Sequence, residues 1–501
     1  MRVQGSVAAT LASRIYLAVL GLVMLPVYLQ QIGMEAFGLV GLFFVLQVWF
    51  QLLDAGLTQT LSREAARHRA GALSATDLRL LLRALEGLFL VVAAVACTAI
   101  YLGADEIAHR WLRHEQLSPV VVERSVQLMA MCMAVRLLGE LYRGAIAGFE
   151  QLRWLAGFNA VFGTLRLGLV VPFLAWAGST PTRFFEFQLA VLVLEALALT
   201  VKAYQLLPGR GPARTPWRLA PIRGVLVFST VMSLASIVWV TLSQVDKLML
   251  SGLLSLADYG TFSLAVTAAA GVLLLTGAIS DTVVPRLTHL HAQAARTELL
   301  DLYRHATQGV GVAAWSVACV MAFHAQTVLW VWTGDTTLAT QAAPILGLYA
   351  LGNAALAIGA FPFYLQFAAG RLRLHLLGTA LMVLVLLPSL VWATASHGAA
   401  GAAAVWLGVN LLYLLLWAPV AHARVMPGLH ASWLVRDVLP IAALAAITAA
   451  LCSWLPWPQD RGAAAVTLMG TTALVLAASA GGSSWVRARM RRSRNSASTL
   501  R

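Results

Sequence analysis

Charge is what this chain has least of. Only 11% of its 501 residues are charged, where a soluble protein carries about 25%. The shortage excludes a soluble catalytic domain, because no segment has mixed composition and the longest polar stretches are short loops and an Arg-rich tail. Acids are scarcer than bases: 21 Asp and Glu stand against 35 Lys and Arg, a net charge of +14. Nucleic-acid binding gathers its basic residues into one patch. Here they are scattered over many short loops, where they can touch anionic lipid headgroups at about 1 kcal/mol each. Cysteine is limited to Cys97, Cys132, Cys319 and Cys452, far apart and inside apolar segments. That spacing suits neither a metal site nor a disulfide framework, and all four read as buried apolar filler. There is no G-x-S-x-G, no H-E-x-x-H and no P-loop, so neither enzyme chemistry nor a built-in ATP motor is expected, and no cofactor. A cleavable signal is missing too. The first apolar segment is too long and lacks an A-x-A-like site, so it is expected to stay as a span.

What fills the chain instead is apolar sequence. Hydrophobic residues make up 60% and the mean hydropathy is +0.78. A helix needs about 20 apolar residues to cross the hydrocarbon. The pattern predicts an all-α polytopic membrane protein with about fourteen transmembrane helices. They run over residues 7–29, 37–61, 80–103, 121–147, 154–177, 184–207, 223–245, 256–281, 306–331, 341–363, 372–395, 400–421, 435–455 and 463–482. Arginines gather in every second gap: Arg63, Arg67, Arg69 and Arg79; Arg153; Arg210, Arg214 and Arg218; Arg286, Arg296 and Arg304; Arg371; Arg424. The tail adds Arg487, Arg489, Arg491, Arg492 and Arg494. Because Arg-rich loops stay in the cytoplasm, both termini are expected there, which requires an even number of spans. Twelve would also serve if two weak segments were re-entrant.

A repeat is visible. Glu35-Ala36-Phe37-Gly38 resembles Ala257-Asp258-Tyr259-Gly260, and the same offset of about 222 positions carries Ala147-Gly148 onto Ala369-Gly370. Six spans separate each pair, which suggests two six-helix lobes in parallel orientation. The expected division is 1–208 and 209–430 for the lobes, 431–484 for two additional helices and 485–501 for a basic cytoplasmic tail.

An ionisable side chain inside a span costs about 2.5–3.5 kcal/mol and must face a cavity or a partner. Arg14 lies in the first span. Gln47, Gln51 and Asp54 share a face of the second by i, i+4, i+7 spacing, and Arg136, Glu140 and Arg143 do so in the fourth. Arg166 lies in the fifth, and Glu195 and Lys202 in the sixth. Gln244, Asp246, Lys247, Asp281 and His324 are further polar residues in or at the ends of spans. Two readings stand side by side. The Arg136–Glu140–Arg143 stripe fastens helices, or it lines an aqueous cavity for an anion, since the guanidinium fork matches phosphate bidentately. Arg143 and Asp281 lie near span ends, within reach of the surface. Asp246 and Lys247 read as an interfacial pair. His324 is a proton carrier by its ordinary range, or a structural histidine.

The stretch Leu25-Pro26, Gly33-Met34-Glu35-Ala36-Phe37-Gly38-Leu39, then Leu53-Asp54-Ala55-Gly56-Leu57 and Ser62-Arg63-Glu64-Ala65, resembles the start of bacterial polysaccharide flippases of the O-antigen type. These share a superfamily with multidrug-and-toxin-extrusion antiporters and peptidoglycan lipid-precursor flippases. The resemblance is strongest over about the first seventy positions. It implies a V-shaped alternating-access transporter made of two six-helix lobes, here with two C-terminal helices. The implied substrate is an undecaprenyl-pyrophosphate-linked oligosaccharide, moved from the cytoplasmic to the periplasmic leaflet of the bacterial inner membrane. A cationic cavity of Arg14, Arg136, Arg143 and Arg166 would take the pyrophosphate, with Asp54 and Glu140 as cavity or coupling acids and Gln47 and Gln51 as polar lining. The implied partners are the lipid-linked oligosaccharide, membrane lipids, and the polymerase and chain-length machinery of polysaccharide assembly. The alternatives are an ion-coupled small-molecule antiporter of the same fold and a peptidoglycan lipid-precursor flippase.

Overall fold

A computed structural model of the chain describes residues 2–207, 226–484 and 486–487. The expected lobe boundary at 208/209, Arg210, Arg214, Arg218 and most of the basic tail lie outside those residues. The described chain is helical throughout, its only extended pairing being the bridge between Arg113 and Ser255. Eleven helical stretches among the described residues are long and apolar enough to cross a membrane, so this is a multi-pass membrane protein. Three places separate that number from the fourteen expected spans. The helix Pro119–Gly148 carries five charged residues, too many for an apolar window. The helix Leu226–Leu253 is only partly described. The expected spans 372–395 and 400–421 fall within one stretch, Arg373–Val425.

Two compact units emerge, residues 1–260 and 261–501. In the first, the elements are α1 (Arg2–Ile32), α2 (Met34–Gln51), α3 (Leu57–Arg69), α4 (Ala75–Leu102), α5 (Pro119–Gly148), α6 (Leu152–Gly168), α7 (Val170–Ala177), α8 (Pro181–Leu206) and α9 (Leu226–Leu253). α5 is central: it packs against α8, α4 and α3. The shared core joins Leu57 and Leu61, Leu81 and Leu85, Leu137 and Leu141, and Leu199. Glycine brings α3 close. A Cβ on Gly144 would lie 2.6 Å from the Thr58 carbonyl oxygen, and one on Gly148 would run into that of Ser62. Small residues four apart are how membrane helices pack backbone to backbone.

The second expected span, 37–61, is not one helix. α2 tightens into a 3-10 turn at Leu52–Asp54, and the chain then passes through left-handed Ala55 (φ 49°) and Gly56 (φ 72°) before α3 begins. The apolar pattern runs on through the break, which is why periodicity missed it. A broken helix at membrane depth is tolerated where it lines a cavity or is buried in protein.

Glu35, from the stretch that carried the resemblance, is 4% exposed. Its carboxylate accepts the backbone N–H groups of Glu115, Gln116 and Leu117 at 2.6–2.9 Å. The N–H of Leu256 donates to Arg113 O at 2.7 Å. The two repeat-related glycines touch within this unit: a Cβ on Gly260 would stand 3.2 Å from Gly38 N and 2.6 Å from Met34 O.

The second unit is built on α12 (Arg296–Phe323) and α14 (Thr336–Ala368), with α13 (Ala325–Thr333) between them; before them come α11 (Gly271–Ala292) and α10 (Leu256–Ala269), whose first five residues belong to the first unit. α15 (Leu372–Leu412) is 41 residues long, about 60 Å if straight and twice the hydrocarbon thickness. It is not straight. Gly398 breaks it at φ 57°, ψ −142°, and a Cβ on Gly401 would run into the Ala393 carbonyl oxygen. The chain therefore doubles back inside the expected gap of 396–399. The short helix α16 (Ala418–Val425) follows. The last two helices, α17 (Leu439–Ser453) and α18 (Arg461–Gly482), pack on α12 through Cys319, Val320, Ala445, Ala449, Leu468 and Val475. Asp437, just before α17, is fully buried; it accepts from Arg304 Nε at 2.7 Å and from Gln308 Nε2 at 2.6 Å. Of the cysteines, Cys132, Cys319 and Cys452 are buried and Cys97 is half-buried.

Candidate functional site

A cavity of about 600 Å³ opens in the first unit, lined by the end of α2, the break after it, the start of α3, the middle of α5 and part of α9. Of the expected site residues, Gln47, Gln51, Asp54, Arg136 and Glu140 line it. The break puts the amino end of α3 at the wall. Asp54 caps that end, taking the Thr58 N–H at 2.9 Å and the Thr58 hydroxyl at 2.5 Å. The carboxylate is thus bound to its own backbone turn, and it neutralises part of the helix's positive end.

From the cavity wall a string of opposite charges runs inward. Arg136 donates to Gln47 Oε1 at 2.7 Å and lies 4.0 Å from Glu140. Its Nε is buried and makes no hydrogen bond within the described protein. Glu140 also faces Arg143, 3.6 Å away. Arg143 donates to Asn159 and to Glu195 and lies over the Phe158 ring, 5.8 Å from its centre. Arg166 approaches the other oxygen of Glu195 at 4.0 Å. Three arginines and two glutamates, on α5, α6 and α8, leave one positive charge over.

The spacing therefore brought Arg136, Glu140 and Arg143 together as expected, but not onto one wall. Arg143 lines a second cavity of about 380 Å³ with Thr58, Gln59, Gly144, Leu155 and Asn159. Arg14 is exposed on α1. Its neighbours Ser13 and Tyr16 turn the other way, bonding Ala156 O and Thr164 on α6. Glu195 and Asn159 were not among the expected site residues, although Glu195 stood out as a carboxylate inside a span; its role depends on α8 crossing α5, which one-dimensional spacing does not show.

Lys202, Lys247 and His324 are tied down locally. Lys202 lies over Trp154 at 5.3 Å. Lys247 donates to Asp246 at 3.2 Å and to Ser243 O at 2.6 Å, and Asp246 is 1% exposed. His324 is bonded to Ala449 O at 3.1 Å against the Trp457 ring, a fastening of α12 to α17. The Asp281 side chain lies outside the described residues.

Comparison with known proteins places this arrangement. No curated protein sequence matches the chain. Among solved structures, the chain is similar to lipid II flippase MurJ in an inward closed conformation (TM-score 0.73, 11% identity, 94% of this chain and 97% of that one). It is also similar to an inward-facing multidrug resistance MATE family transporter of the MOP superfamily (TM-score 0.63, 16% identity, 81% and 94%). A point mutant of the Vibrio cholerae MATE transporter VcmN is a further match (TM-score 0.55, 16% identity, 84% and 95%). At these identities the likeness establishes a transporter fold. The family model described as "Polysaccharide biosynthesis protein" matches residues 4–291, more than half of the chain and all of the site, and the chain belongs to that family.

Proposed function

We propose that the protein is a flippase. It moves an undecaprenyl-pyrophosphate-linked oligosaccharide, a repeat unit of O-antigen, capsule or exopolysaccharide, from the cytoplasmic to the periplasmic leaflet of the bacterial inner membrane by alternating access. The observation that carries this reading is the string Arg136–Glu140–Arg143–Glu195–Arg166 running from a cavity wall into the span bundle. Its cationic excess, held inside the bundle, suits a diphosphate. In this reading Arg136, Arg143 and Arg166 receive the two phosphates, and Gln47 and Gln51 give the cavity polar lining. Asp54 and Glu140 are its acids. Arg14, exposed on α1, meets the lipid headgroup on its way in. The termini are cytoplasmic, the lobes are 1–208 and 209–430, and polymerase and chain-length machinery receive the product.

The similarity to a lipid II flippase keeps a peptidoglycan precursor as the second lipid-linked substrate to test. A cationic-drug antiporter would want an acidic cavity, and the acids here are each engaged: Glu140 by two arginines, Asp54 by a helix end.

Deleting the gene and analysing extracted lipids by mass spectrometry tests the reading. The expected result is accumulation of a polyprenyl-diphosphate saccharide, relieved by the wild-type gene and not by Arg136→Ala. Intact surface polysaccharide without accumulation, in a strain with no second flippase, would overturn it.

A further inference from the structure

The diphosphate reading leaves one thing to explain. A cavity of free arginines in a membrane would fill with the commonest anion there, the single phosphate of a phospholipid. The arginines of this string are not free. Glu195, 8% exposed, holds Arg143 on one oxygen and faces Arg166 across 4.0 Å on the other. Glu140 also sits between two arginines, Arg136 and Arg143, facing both with one oxygen. The guanidinium of Arg143 donates to Asn159 and Glu195, faces Glu140 at 3.6 Å and lies over the Phe158 ring.

Resting on the flippase reading, we infer that Glu195 is a built-in competitor that sets the charge an incoming lipid must carry. A carboxylate shared by two arginines is a monoanion already in place, and it loses no translational entropy by being there. A phosphodiester also carries one charge and reaches its second arginine no better, so exchanging it for Glu195 gains nothing and leaves a buried carboxylate without partners. A diphosphate brings two charges on two linked phosphates. It can take Arg143 and Arg166 together, one fork to each phosphate, a firmer hold on the pair than Glu195 has with one oxygen 4.0 Å from Arg166. The lipid selected is the one with a diphosphate headgroup, whatever its sugar.

Binding to purified protein in nanodiscs tests this, with undecaprenyl diphosphate and phosphatidylglycerol as probes. The wild type is expected to favour the diphosphate by at least tenfold. Glu195→Gln is expected to bind both lipids more tightly and phosphatidylglycerol disproportionately, so that discrimination falls several-fold. Glu195→Asp, which keeps the charge and the clasp on α8, is expected to fall between. If both variants keep wild-type discrimination, or lose diphosphate affinity along with thermal stability, Glu195 only fastens helices and the inference fails while the flippase reading stands. If the wild type binds no diphosphate lipid, the reading beneath it fails as well.

Discussion

At the scale of the residue, the energetics turn on buried carboxylates. Asp437 has no exposed surface and answers two donors, Arg304 and Gln308. Removing one partner of a buried pair costs about 3–5 kcal/mol. Arg304 keeps 31% of its side chain exposed, so its loss is partly compensated by solvent. Asp437→Asn is expected to cost about 2 kcal/mol, read as a lower unfolding midpoint in detergent micelles. Such residues were only half legible in the sequence. Hydropathy marks Glu195 as a charge inside a span. It cannot say that Glu195 meets two arginines, or that Glu35 commits its carboxylate to three backbone N–H groups of a loop about eighty positions away. Those partnerships are set by helix crossings.

At the scale of the element, the break between α2 and α3 is the informative feature. Two successive left-handed residues form it, one of them alanine. A non-glycine residue held in that region stores about 1–2 kcal/mol. Ala55→Gly is therefore expected to leave the fold intact and raise stability slightly, whereas Gly56→Ala, at φ 72°, is expected to lower it by about 1–2 kcal/mol. Thermal unfolding of the two variants side by side gives the comparison, and transport should follow Gly56→Ala downward because the break forms the cavity wall. The D-x-G-L motif carried the family resemblance, yet its physical meaning was hidden. Leu52, Leu53 and Leu57 keep the apolar pattern going, and only the dihedral angles reveal that the span stops. The Arg136–Glu140–Arg143 stripe was legible because α5 is continuous, so i, i+4, i+7 spacing translated directly into adjacency.

At the scale of the whole molecule, hydropathy carries most of the fold. Long apolar stretches become helices because nothing else satisfies backbone groups in hydrocarbon, so the helical class was readable without any motif. The drive for transport belongs to this scale too. A diphosphate headgroup carries about two negative charges, and with the cytoplasm negative, each moving outward gains about 2.3 kcal/mol per 100 mV. In liposomes loaded with the diphosphate lipid, transport is expected to accelerate when the leaflet of origin is made negative and to slow when the sign is reversed. Indifference to the imposed potential would mean that the string neutralises the headgroup throughout, or that another ion moves with it.

The reversal at Gly398 has a consequence for how this chain is made. Only about four residues separate the two arms of α15, and none of residues 396–399 is Asp, Glu, Lys or Arg, so the two arms are expected to reach the membrane as one helical hairpin. Neither arm has a charged anchor of its own at that turn to hold it across the bilayer while the other is still being synthesised. A chain cut short between the arms would leave a lone apolar helix and shift the orientation of everything fused behind it. The glycine that bends the finished protein is thus also expected to let the two arms enter the membrane together.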